Sequence, residues 1–160
     1  MNRKKPIARK KSGRIESVKA TMDGIEFKSI LERDVYKYLK EHGIIAKYEP
    51  NSYVLWTGGP TETPFYNAKK GHLRHYKADL DDITYKPDFY FEYEGKPVFI
   101  EAKGFENDSF PIRKKMFRKY LDENIPNAYY FEIRSIMQLA DMIEILTYGK
   151  INKKKKKKNS

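Results

Sequence analysis

The chain has no cysteine, which excludes disulfides and cysteine-based zinc sites. It has no apolar run near the ~20 residues of a membrane span, and its N-terminus lacks the apolar stretch of a signal peptide. No membrane partner is expected, and these absences predict a cytosolic or virion-associated protein. The 160 residues are enough for one domain with a real core and too few for two comfortable ones. With 39% hydrophobic and 14% aromatic residues, most of the chain should fold.

The net charge of +11 is concentrated at the ends. Residues 1–20 carry eight Lys/Arg and one Glu, residues 150–160 carry seven Lys and no acid, and residues 21–149 sum to −3. Tails of this kind repel themselves and suit a polyanion whose counterions they release, with nucleic acid first and an anionic membrane second. The expected organisation is a basic disordered arm over 1–22, one domain over 23–149 with an insertion at 57–83, and a polylysine disordered tail over 150–160.

Residues 27–42 have helical spacing, with Ile30, Leu31, Val35, Tyr38 and Leu39 on one stripe and Gly43 as the stop. Residues 44–56 are β-rich, interrupted at Pro50. Residues 57–82 are broken by Gly58, Gly59, Pro60, Pro64 and Gly71 and read as a large loop with room for short strands. Residues 84–93 and 97–103 read as two strands joined by Glu94-Gly95-Lys96. A helix follows over 109–123, capped by Asp108 or Ser109, with Ile112, Met116, Phe117, Tyr120 and Leu121 facing inward. Residues 128–134 alternate as a strand. Ser135 caps a last helix that buries Ile136, Leu139, Ile143 and Leu146 and ends at Gly149. The predicted order is α-β-β-β-α-β-α.

The stretch YKPDFYFEYEGKPVFIEAKG (85–104) sets two acids and a lysine into apolar strands. Side chains alternate across a strand, so Val98, Ile100 and Ala102 share one face while Phe99, Glu101 and Lys103 share the other. In a hairpin turning at 94–96, Asp88 falls opposite roughly residue 102, beside Glu101. Two carboxylates so close repel unless a cation lies between them. A hard oxygen site of this type suits Mg2+, with Asp88, Glu101 and the Ala102 backbone carbonyl as ligands. Lys103 alongside is placed to orient an attacking water or stabilise charge at phosphorus. A Glu-x-Lys pair alone is commonly a solvated strand face. The TYKPDF segment at hairpin distance, the apolar strands and the basic tails favour a site for phosphodiester hydrolysis.

The order of these motifs resembles the PD-(D/E)XK nuclease superfamily. SILERDVYKYLKEHGI, KYE, TYKPDFYF, FIEAKG and IRKK together are similar to the phage-type endonuclease I, a Holliday-junction-resolving family. The resemblance implies an α/β restriction-endonuclease-like αβββαβ core with a mixed central sheet, here with an extra C-terminal helix. It implies the catalytic set Glu32, Asp88, Glu101 and Lys103, with Glu32 joining the metal ligands and Mn2+ substituting for Mg2+. It also implies branched or junction DNA as substrate, and a homodimer with strand exchange after the first helix. For a phage-encoded protein the location would be the host cytoplasm. Alternatives are another PD-(D/E)XK phage nuclease (a nickase, a transposition-type or a packaging-linked enzyme) and a non-catalytic DNA-binding or virion protein on the same fold.

Three further features bear on DNA. Arg113, Lys114, Lys115, Arg118 and Lys119 stud the helix after the site and could grip phosphates or form a solvated face. His72 and His75 have the spacing of helical metal ligands but lack a second pair, so a surface or DNA-contacting loop is the simpler reading. Trp56 is most simply core or interface.

Overall fold

The computed structural model describes residues 18–104 and 109–149. In chain order the elements are β1 (Ala20–Met22), β2 (Ile25–Phe27), α1 (Ile30–Glu41), β3 (Lys47–Tyr48), β4 (Tyr53–Trp56), β5 (Phe65–Lys69) and β6 (His72–Tyr76). Then come β7 (Ile83–Tyr85), β8 (Phe89–Tyr93), β9 (Lys96–Ala102), α2 (Phe110–Asn124), β10 (Tyr129–Ile133) and α3 (Met137–Tyr148). No described helix is long and apolar enough to cross a membrane.

The central sheet has the order β10-β9-β8-β3, with β10 parallel to β9 and the other neighbours antiparallel. The alternation along β9 sends its side chains into two cores. Val98, Ile100 and Ala102 join Val35 and Leu39 of α1 and Leu139, Met142 and Leu146 of α3. On the opposite face Phe99 packs with Tyr85 and with Phe110, Phe117 and Leu121 of α2. Each fully buried side chain of this size contributes roughly 1.5–3 kcal/mol, which is why β9 is apolar on both faces. The result, among the described residues, is a mixed α/β fold with three helices around a mixed sheet.

Local rules explain most differences from the expected layout. Ala20–Met22, expected in the disordered arm, pairs with Ile25–Phe27 because Asp23 and Gly24 both take positive φ (52° and 76°). This two-residue turn matches the twist of the strands it joins. Phe27 is then buried against Tyr36, Tyr48 and Phe89. The rest of that arm (1–17), Asp108 and the polylysine tail (150–160) lie outside the described residues.

The turn after β8 is Glu94-Gly95, again with both φ positive, so Lys96 pairs with Tyr93 rather than belonging to the turn. The expected single strand 84–93 divides at Pro87, which has no N–H for a ladder. β7 pairs instead with β4, apart from the central sheet. The loop over 57–82 contains the β5–β6 hairpin. α1 begins at Ile30, which is exposed rather than part of the stripe. On α2, Ile112 is exposed while Phe110, not expected inside, is buried. Ser109 precedes α2 without a side-chain cap. Ser135 Oγ accepts from the Met137 N–H at 3.3 Å at the start of α3, with Ile136 between them, and Met142 joins the buried face of this helix.

Candidate active site

The β8–β9 turn fixes the position of the two acids. Its register pairs Phe89 with Ile100, so Asp88 falls level with Glu101, one residue away from the expected position opposite 102. Asp88 sits just before β8, and its Oδ2 accepts a hydrogen bond from the Ala102 N–H at 2.7 Å. That bond extends the ladder through a side chain where Pro87 has ended it. Glu101 lies on the β9 face turned toward α2. Its Oε2 accepts from the Tyr85 hydroxyl at 2.6 Å, and its Oε1 lies 3.6 Å from the Lys103 ammonium. Tyr85 has one proton, which it gives to Glu101, so Tyr130 at 2.7 Å must be the donor in the hydrogen bond between the two hydroxyls. Lys103 also lies 4.5 Å from the centre of the Phe110 ring, which holds it over the rim of α2.

Both acids are buried. Burial pushes Asp88 up to about 8, assisted by the charges of Glu101 and Glu32 and opposed by the Ala102 N–H. Burial also raises Glu101, against the Tyr85 hydrogen bond and the Lys103 charge. Two desolvated carboxylates facing each other disfavour double ionisation, and a bound cation relieves both costs at once.

Asp88, Glu101, Ala102, Lys103 and Glu32 all line one open cavity of about 360 Å³. The four side chains expected to carry catalysis therefore come from α1, the start of β8 and the end of β9, and meet at the same place. Glu32 stands differently from the other two acids. It is the third residue of α1 and closes the helix start as a cap: Ser29 Oγ accepts from the Glu32 N–H at 3.2 Å and donates to Oε1 at 2.9 Å. Its Oε2 accepts from Tyr48 Oη at 2.6 Å and from the Lys28 N–H at 3.0 Å. Both oxygens are thus occupied. Among the described residues no three His, Cys, Asp or Glu side chains close on a common point, and Glu32 lines the same cavity as Asp88 and Glu101.

Glu49, Lys28 and Lys86 also line the cavity and went unremarked as site residues in the sequence. Glu49 takes a left-handed backbone (φ 43°), a conformation that costs a non-glycine residue roughly 1–2 kcal/mol. In that conformation its N–H donates to the Asp88 carbonyl at 2.8 Å while its carboxylate pairs with Lys28 and, at 3.8 Å, with Lys86. Strain held at a cleft by neighbouring contacts is a mark of functional positions. Pro50 directly after it biases residue 49 toward extended backbone, so the left-handed conformation of Glu49 is imposed by its tertiary contacts rather than by its neighbour. Tyr85 and Tyr130 left no local signal either, because their partners lie 16 and 45 residues away.

The basic residues of α2 divide. Arg113 lines the cavity. Lys114 is bound to Glu132 at 2.6 Å, Lys119 is paired with Glu123, and Lys115 and Arg118 are exposed. His72 and His75 lie on β6, where a spacing of three puts them on opposite faces of a strand, so they do not form a metal pair. Trp56 is partly exposed on the outer side of β4.

The donor set suits a hard divalent cation: two adjacent carboxylates, each keeping one oxygen free of a close hydrogen bond, beside the Ala102 backbone in an open cavity. No curated protein and no solved structure matches the chain significantly. Residues 12–136, which include every cavity residue named above and stop just before α3, match the family described as Protein of unknown function (DUF1064), and the chain belongs to that family.

Proposed function

We propose that this protein is a Mg2+-dependent DNA endonuclease of the PD-(D/E)XK superfamily, most like the phage-type endonuclease I enzymes, acting on branched DNA as a homodimer. The observation that carries this reading is the burial of Asp88 and Glu101 side by side, with Lys103 3.6 Å from Glu101, in a cavity open to solvent. A binding protein gains nothing from two desolvated, mutually repelling acids, whereas a hydrolase uses them to hold a cation.

Each residue has a definite task in this scheme. Asp88 and Glu101 would hold Mg2+ or Mn2+, with Ala102 as the backbone contributor. The cation would polarise the phosphoryl oxygen and offset charge that develops there. Tyr85, backed by Tyr130, fixes the rotamer of Glu101 so that Oε1 faces the cavity. Lys103 directs positive charge at the same place, confined by Glu101 and the Phe110 ring. Arg113 at the rim, with Lys28 and Lys86 beside Glu49, draws the phosphate backbone toward an otherwise acidic cleft. Glu32 acts as a positioning residue, tying the start of α1 to Tyr48 of β3 and holding a third negative charge near Asp88.

The test is incubation of the full chain with supercoiled, linear and four-way-junction DNA, with and without Mg2+. Junction-selective, metal-dependent cutting is the expected result. Metal-dependent nicking of all three substrates would keep the superfamily reading and remove the junction specificity. Tight binding without cutting, with or without Mg2+, would overturn the enzyme reading.

A further inference from the structure

Strands β4 and β7 form a ribbon whose base lies at the cavity, since Ser52, Thr84 and Tyr85 line it. The ribbon continues outward. Gly59 and Leu80 exchange two backbone hydrogen bonds of 2.8 Å, and Gly58 allows the strands to close there, because a Cβ at that position would lie 1.8 Å from the Leu80 carbonyl oxygen. Beyond this neck, β5 and β6 pair over five residues each and turn at Lys70-Gly71, both at positive φ. The hairpin adds about 16 Å of reach. It packs mainly on itself, and nine of its ten strand residues are exposed.

Its composition is one-sided. Between Phe65 and Lys77 there are four Lys/Arg and no acid, although residues 21–149 as a whole are slightly acidic. Its pairing is ordered as well. Register puts Phe65 beside Tyr76, Asn67 beside Arg74 and Lys69 beside His72 on one face. The Phe65 and Tyr76 rings meet edge to face at 6.4 Å and are 57% and 54% exposed. Two open rings and then two cations, spaced along a solvated ribbon, match a strand of nucleotides, with bases for the rings and phosphates for the cations. In a paired duplex the base faces are closed by stacking, so rings displayed this way can engage only unpaired bases.

We propose that the β5–β6 arm is a binding platform for an unpaired DNA strand beside the cavity, using the face that carries Phe65, Tyr76, Arg74 and Lys69. The substrate it selects is then DNA with a single-stranded flap or opened branch near the scissile bond. This deepens the nuclease reading in naming the form of DNA, but its test needs no cleavage.

Affinities of the full chain for a labelled duplex and for the same duplex bearing a single-stranded flap are measured by anisotropy in EDTA over a salt series. Phe65→Leu/Tyr76→Leu keeps the apolar surface and removes the rings. It is expected to weaken flap binding roughly 10- to 100-fold, as for loss of base stacking, and duplex binding less than about threefold. Lys69→Ala/Arg74→Ala is expected to weaken both and to reduce the salt slope by up to about 1.8, at about 0.9 per lost phosphate contact. Tyr66→Leu/Leu73→Ser, on the opposite face, is expected to leave both unchanged. The proposal is overturned if the ring variant binds both DNAs like the parent, if only the opposite-face variant loses binding, or if the ring variant changes the protein's mass in solution, which would make the face an interface between copies. Circular dichroism and melting show that each variant is folded. If no metal-dependent cleavage is found while the flap preference depends on the rings, the nuclease reading fails and the arm proposal stands.

Discussion

Tyr85 and Tyr76 are both strand tyrosines on the same two-stranded excursion from the sheet, yet they live in opposite surroundings. Tyr85 is buried, its ring against Phe117 and its hydroxyl locked between Glu101 and Tyr130. Tyr76 is mostly in water, and its ring meets Phe65. The lysines divide in the same way: Lys103 is confined by a carboxylate and a ring, whereas Lys69 is exposed. At the cavity, polar groups are desolvated and held by neighbours, so they act at fixed positions on something small. On the arm they are solvated and unconstrained, which suits a long flexible polyanion bound by many weak contacts.

The sharpest way to break this contrast is at the acids. Asp88→Asn or Glu101→Gln is expected to reduce Mg2+-dependent DNA cleavage by about a thousandfold or more. DNA binding in EDTA should remain near the parent value. A variant that still cuts at the parent rate would remove the cavity from the chemistry. Lys103→Ala comes next, with a loss of about 10²- to 10³-fold in cleavage rate. Calorimetric Mg2+ affinity should be retained, which separates this lysine from the ligands.

Stability gives a comparison of opposite sign. Asp88 is buried among like charges, so Asp88→Asn should raise the melting temperature of the metal-free protein by several degrees, about 2–4 °C per kcal/mol for a chain of this size. Asparagine Oδ1 can still accept the Ala102 N–H. Added Mg2+ should stabilise the parent protein and leave this variant unmoved. The arm variants should melt within about 0.5 kcal/mol of the parent, because they bury little. If Asp88→Asn melts lower than the parent in EDTA, the acid is structural and the contrast collapses. The smallest effect on cleavage among the cavity variants is expected from Tyr85→Phe, which keeps the ring packed and removes the proton given to Glu101. A loss of about 1 kcal/mol in stability and a roughly tenfold fall in cleavage rate should accompany it. A rate change without any shift in Mg2+ affinity would argue against its role in orienting Glu101.

The central part of the site was legible because it is local. Asp88, Glu101 and Lys103 lie on one hairpin, where alternation and a short turn fix which side chains neighbour each other. The one-residue error in register came from reading three turn residues where Glu94 and Gly95 suffice. Glu32 was legible in a different sense: Ser29 three residues before it is the mark of a helix cap, and that is the bond it makes. The grip of Tyr48 on its other oxygen comes from a strand 16 residues away and leaves no local trace. The tip of the arm carried a usable signal in Lys70-Gly71, flanked by five-residue runs, which the surrounding Gly and Pro residues obscured.

By itself the sequence determined what depends on neighbours along the chain: the amphipathic helices, the positive-φ turn at Gly95, the two-faced β9 and the placement of one acid beside another. Only the tertiary structure decided that Tyr85, Tyr130, Glu49 and Arg113 surround those acids, and that β5 and β6 stand apart from the core. The physical reason is burial. Whether a carboxylate is desolvated, which hydroxyl reaches it and whether a ring is covered all depend on segments far apart in the chain, which packing alone brings together.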